Sequence, residues 1–371
     1  LISMGDVMRG QLRLPPNDQT PMAATFAFGT QMPTNLPAKG MRIVGDAPQL
    51  DVTGWVKQSI AGGEANNGLT LETIDVTTEH AQMFGRDFLQ MHIVAAPKGD
   101  ALELDVDSAS AAGHFSVPET ELSKRGVTAR LQRLYWLKEP VQPGKKAGAP
   151  VVQETDPANT GMDPAGMPPM HIWVNDLRLD DAKLGQARLE TWPTSNGMHI
   201  DQLSTQSKSA QISGSGDWNG TPTKSSTHLH VDFNAANLGD MLTAFGFSGI
   251  FQGGKTHDQL NATWPGGPWA FELDNMEGTL NVNVTDGHIL QASPGLRGRF
   301  FGLASIAELP RRLSLDFADV FGKGFGFDVI TGDFRLHNGN AYTDNVTIHG
   351  PAAEISITGR TGLRAKDYDQ Q

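Results

Sequence analysis

Gly249-Ile-Phe-Gln-Gly-Gly254-Lys255-Thr256 has the spacing G-x-x-x-x-G-K-[ST], the loop whose backbone N–H groups cradle phosphates while its lysine reaches the terminal one. That chemistry needs an apolar strand before the loop and a helix after it, so that the helix N-terminus faces the anion. Around Gly249 the order is reversed: a segment of helical spacing precedes and an alternating strand follows. No apolar strand ending in Asp offers a magnesium partner, so the run is read as a turn between elements. His228 and His230 stand two apart in an alternating strand and share one face, which is how a metal site can begin. No third or fourth ligand can be placed beside them, and a polar strand face accounts for the pair. Gly322, Gly324 and Gly326, interleaved with Phe321, Phe325 and Phe327, lie outside any βαβ setting and read as an aromatic-bearing turn.

Covalent catalysis finds as little support. The chain has no cysteine, which removes disulfides, thiolate nucleophiles and Cys-based zinc at once. It lacks a G-x-S-x-G elbow and an H-E-x-x-H helix. Asp180-Asp181 is turn-like, and the Asn-x-Thr sequons at Asn261, Asn283 and Asn345 follow from an Asn/Thr-rich composition. No catalytic residue, metal or cofactor is expected, and the chain is read as a non-enzyme. A formal net charge of −12 repels polyphosphate, so nucleic acid is not an expected partner.

The elements that carry these residues have a period of two. Leu102 to Asp107, Leu229 to Phe233, Leu280 to Val284 and Ile355 to Thr358 alternate apolar and polar, which places one face of each strand toward a core and the other toward water. With 42 Gly and 22 Pro in 371 residues, many short strands joined by tight turns are expected. Asp201 to Gly214 aligns with Asp344 to Ile357, and Leu104 to Val117 is a looser copy. Each reads as strand, small-residue turn, strand, and hairpins that cannot bury an apolar face alone must stack. Two segments have helical spacing: Asn237 to Phe245, with Asn237 as cap, and Leu296 to Leu309, stopped by Pro310. A Pro/Gly-rich run over 139–170 is a flexible loop, dividing the chain into β-rich sections 1–138 and 171–371. No stretch reaches the ~20 apolar residues of a membrane-spanning helix. The chain starts at Leu1 without a signal peptide and is expected to be a piece of a longer protein.

In the second helical segment Phe300, Leu303, Ile306 and Leu309 form an apolar stripe, with Phe301 beside it, flanked by Arg297, Arg299, Arg311 and Arg312. Such a helix either caps one end of the sheet with its stripe buried or lies at anionic headgroups.

From Gly253 onward an ordered set of motifs appears: Gly253-Gly254 leading to Trp264-Pro265-Gly266, then Asp286-Gly287, then Leu309-Pro-Arg-Arg-Leu-Ser-Leu-Asp-Phe317, then Gly324-Phe-Gly-Phe-Asp328 and Gly350-Pro-Ala-Ala353. This set resembles the C-terminal region of YhdP-type AsmA-like proteins, within the TamB/AsmA superfamily of bridge-like lipid transfer proteins. The likeness is strongest over 169–362. It implies a periplasmic protein anchored in the inner membrane by an N-terminal helix absent from this chain. It also implies a long groove carrying phospholipid toward the outer membrane.

The fold expected is mostly β: an extended, twisted antiparallel sheet curling into a groove or sandwich, with two short helices. Two functions remain open. In the first, the chain is a section of a lipid conduit between inner and outer membranes, with acyl chains against Leu280, Val282, Val284, Val346, Ile348, Ile355 and Ile357. In the second, it is a periplasmic scaffold whose strand edges bind client proteins during outer-membrane assembly.

Overall fold

The computed structural model describes residues 2–5, 7–14, 21–29, 35–61, 70–137, 161–247, 249–290, 324–364 and 367–371. Alternation builds one sheet of twenty strands among them. The first nine are β1 (Ile2–Met4), β2 (Met8–Arg13), β3 (Ala23–Phe28), β4 (Gly40–Asp51), β5 (Leu71–Met83), β6 (Arg86–Lys98), β7 (Ala101–Asp107), β8 (Ala111–Pro118) and β9 (Val127–Trp136). Then follow β10 (Met170–Leu179), β11 (Ala182–Thr194), β12 (Gly197–Gln206), β13 (Gln211–Thr221), β14 (Lys224–Ala235) and β15 (Phe251–Pro265). The series ends with β16 (Glu277–Ile289), β17 (Phe325–His337), β18 (Asn340–His349), β19 (Glu354–Gly362) and β20 (Asp367–Gln370). Each strand pairs with the next in the chain.

The three sequence repeats are hairpins closed the same way. The N–H of Ser108, Ser207 and Gly350 donates to the carbonyl of Ala111, Ala210 and Ala353 at 2.8, 2.9 and 3.0 Å. In the first two the serine Oγ also accepts the N–H groups two and three residues on, a side chain replacing a backbone turn partner.

Pairing is antiparallel except at β3–β4, β4–β5 and β9–β10, which are parallel. Parallel neighbours need a crossover between them. Between β4 and β5 that crossover includes helix α1 (Val52–Ala61), which starts where the Asp51 side chain accepts the Gly54 N–H at 2.8 Å. Between β9 and β10 it includes the Pro/Gly-rich run, of which 138–160 lie outside the described residues. The sheet is continuous across that run, with Val127 opposite Met170 and Trp136 opposite Leu179. On its outer face Trp173 takes the guanidinium of Arg130 at 5.1 Å and that of Arg188 at 5.4 Å, a cation–π ladder over three strands.

Three helices are described where two were expected. α3 (Leu238–Ala244) is the first predicted one, and the Asn237 Oδ1 accepts the Asp240 N–H at 3.1 Å as a cap. The short α2 (Leu122–Arg125) and α1 were not anticipated. The Leu296–Leu309 segment lies outside the described residues.

The sheet coils until its opposite ends meet. Phe84, in the β5–β6 turn, lies at the end of the sheet where β9 finishes, and Trp269, just after β15, lies at the end where β10 begins. Yet their rings stack at 4.4 Å. At about 20–25° per strand, the nine steps from β6 to β15 amount to roughly half a turn, which brings opposite ends together. Phe88, Trp136, Phe84, Trp269 and Trp218 thereby form a continuous bar of rings from β6 to β13.

Candidate functional site

The period-two strands sort the chain's chemistry by face. The outer face takes the histidines: His92 on Asp75, His114 between Glu103 and Asp105, His199 on Asp217 and His337 on Glu277. Asp105 at 2.8 Å holds the His114 imidazolium above the usual histidine range, against the opposing effect of partial burial. His228 and His230 belong to this face too, His228 Nε2 sitting 2.7 Å from the Asn261 Oδ1 and His230 beside Asp232.

The inner face is mostly aliphatic, its buried residues grouped in clusters. One cluster runs over β11 to β18 through Leu184, Ile200, Ile212, Leu229, Val231, Leu260, Leu336 and Ala341. A second joins Val284, Ile289, Phe325, Phe327, Ile330 and Ile348 to Leu238 and Met241 of α3, which roofs one rim. All seven groove candidates lie on this face. Val284, Val346 and Ile348 are buried, while Leu280, Val282, Ile355 and Ile357 are half-buried and keep contact with water. Gly332 makes room for this surface, since a Cβ there would lie 2.4 Å from Val346 Cγ2.

The phosphate-loop spacing is dismantled by the strand that contains it. Gly253, Gly254, Lys255 and Thr256 all belong to β15, and successive residues there face opposite sides. Lys255 points outward, exposed, its Nζ 3.9 Å from Asp286, whereas Thr256 is buried within the sheet. Phe325 and Phe327 from the glycine–phenylalanine run are core residues, and Asp180 and Asp181 form the β10–β11 turn. The helix candidates Arg297, Arg299, Phe300, Phe301, Leu303 and Ile306 lie outside the described residues.

Beside buried threonines such as Thr205, Thr227 and Thr256, two further polar groups interrupt the apolar lining, and the alternation alone did not single them out. Asp258 is 8% exposed; its Oδ2 accepts from the Thr256 hydroxyl at 2.6 Å and its Oδ1 from the Asn283 N–H at 3.0 Å. Burial pushes its carboxyl above the usual aspartate range despite both hydrogen bonds. Trp218, on the inner face of β13, is 1% exposed, and among the described residues its indole N–H has no acceptor. Such a buried donor left unpaired costs about 1–3 kcal/mol. Trp264, by contrast, donates to the Gly267 carbonyl at 3.1 Å.

Trp218 packs with Met162, Met167, Met198 and Met170 and with Val56, Phe84 and Trp269. Two irregular segments cover it. One is 161–169, with a 3-10 turn at Pro164–Gly166; the other is the strap 266–276, with a 3-10 turn at Pro268–Ala270. The far end of the strap is held by Arg364, whose guanidinium reaches Asp274 Oδ2 at 3.3 Å and the Asp274 carbonyl at 3.0 Å.

The family model described as YhdP protein matches residues 1–371. The chain is 24% identical over 162 residues to the intermembrane phospholipid transporter YhdP of Escherichia coli (strain K12), a match covering 44% of this chain and 13% of that relative. The match thus spans only a small part of the relative's length. No solved structure gives a significant match. With a family model matched from the first residue to the last and the mostly-β sheet its motifs implied, this chain belongs to the YhdP family.

Proposed function

We propose that the chain is a section of a conduit that carries phospholipid between the inner and outer membranes of a Gram-negative envelope, with acyl chains lying on the inner face of the sheet. The observation that carries this reading is the half-buried aliphatic row Leu280, Val282, Ile355 and Ile357 beside the buried Val284, Val346 and Ile348. Each CH₂ placed against such a surface gains roughly 0.8 kcal/mol. A chain sliding along a uniform aliphatic path trades one contact for an equal one, so movement needs little activation and no covalent step. The section would act in the periplasm, reaching both membranes through its longer parent, itself anchored in the inner membrane.

Mass spectrometry of organic extracts tests this. Phospholipid should co-purify with the wild-type chain and be lost from a Val282→Asp/Ile355→Asp variant whose strand content is unchanged. A folded, monomeric wild type without lipid would contradict the reading and turn attention to binding of client proteins.

A further inference from the structure

We infer that the Trp218 indole N–H is a lipid-recognition group, a donor for the ester carbonyl of a diacyl phospholipid, in a methionine-walled site that the 266–276 strap covers. The inference rests on the conduit reading and adds a specificity to it.

Three observations converge on this residue. First, Trp218 is 1% exposed and its N–H finds no acceptor among the described residues, although it stands on the inner face that the acyl chains would follow. Its T-shaped neighbour Trp269, at 4.9 Å, offers a π-face, a far weaker acceptor than a carbonyl oxygen. Second, the walls are Met162, Met167 and Met198, with Phe84 and Trp269. Unbranched thioethers repack around ligands of irregular shape, which suits a kinked acyl chain. Third, the cover consists of turns rather than ladder strands. In the strap, the Asn275 Oδ1 is itself buried without a donor, and the far end is tied down by the exposed Arg364–Asp274 pair. Lifting the strap breaks no β-ladder, although it uncovers the buried Ala270 and Met276, and moving Trp269 would open the space beside Trp218.

The ligand class follows from the donor. A hydrocarbon tail offers no acceptor and a charged headgroup would need a counter-charge, whereas an acyl ester places a neutral carbonyl at the top of an apolar chain. A neutral N–H in an apolar wall fits that carbonyl.

The test presents the purified chain with an equimolar mixture of dioleoyl phosphatidylethanolamine and its dioleyl diether analogue, which lacks both carbonyls. The ratio of bound lipids is then read by mass spectrometry. Wild type should enrich the diester about fivefold, the discrimination expected of one net hydrogen bond. Trp218→Phe keeps an aromatic ring but loses the pyrrole half with its N–H, so its ratio should fall to one. Its strand content should stay that of wild type, since the small cavity the smaller ring leaves is offset in part by removal of the unpaired buried donor. Trp192→Phe, on the outer face, should keep the enrichment. Equal binding of both lipids by wild type, or enrichment unchanged in Trp218→Phe, overturns the inference while leaving the conduit intact. Binding of neither lipid overturns both.

Discussion

Asp258 shows what a single residue contributes to an otherwise aliphatic face. Its carboxylate fills a gap in the β15–β16 ladder by accepting the Asn283 N–H, but burial disfavours its charge and raises its pKa. For an acid raised on folding, the native state binds the extra proton. Stability is therefore greatest below the unfolded value of about 3.9 and falls as pH rises through the folded value. Asparagine would keep the acceptor for Asn283 and present an NH₂ to Thr256 Oγ1. That hydroxyl lies 3.3 Å from the Asn283 carbonyl and can donate there instead. Asp258→Asn should therefore melt higher than wild type at pH 7, with the gap shrinking toward pH 4. A variant that melts lower at pH 7 would show that the charge is needed. Trp218, with its unpaired indole N–H, is a second polar departure on the same face.

At the scale of elements, the strands are set by alternation and by how closely their backbones approach. Gly216 faces inward on β13, where a Cβ would lie 2.0 Å from the His228 carbonyl oxygen and 2.8 Å from Leu229 Cδ2. Gly216→Ala should cost about 3 kcal/mol, because overpacking there must move backbone. Gly99→Ala, at φ +69 with nothing within 4 Å, should cost about 1 kcal/mol of backbone strain. Urea midpoints of the two variants measure the difference, and equal costs would refute the close packing of β13 on β14. Strands, hairpin repeats and the Asn237-capped helix could be read from the sequence because each is encoded locally, by period two, by small-residue turns and by an Asn three residues before its N–H partner. α1 could not, since Val52-Thr53-Gly54 reads as strand or turn and only the Asp51 side chain starts the helix. The three parallel pairings were also hidden, because crossover direction is set by long-range packing.

At the scale of the molecule, the inner face is formed by twist. Half a turn over nine strand-to-strand steps brings the β5–β6 turn onto the segment after β15, and the ring bar from Phe88 to Trp218 holds the sheet in that coil. No sequence pattern pairs Phe84 with Trp269, which is why the strap and the methionine cluster around Trp218 could not be foreseen while the seven aliphatic candidates on the inner face could. The account's central claim is that this face, and not the outer one, carries lipid. It is tested most directly by placing the photocrosslinker benzoylphenylalanine singly at positions 279 to 284 of β16 and illuminating the chain with bound phospholipid. Lipid adducts should form at 280, 282 and 284 and be absent at 279, 281 and 283, a period of two. Adducts of equal yield at all six positions, or at the odd ones, would contradict it.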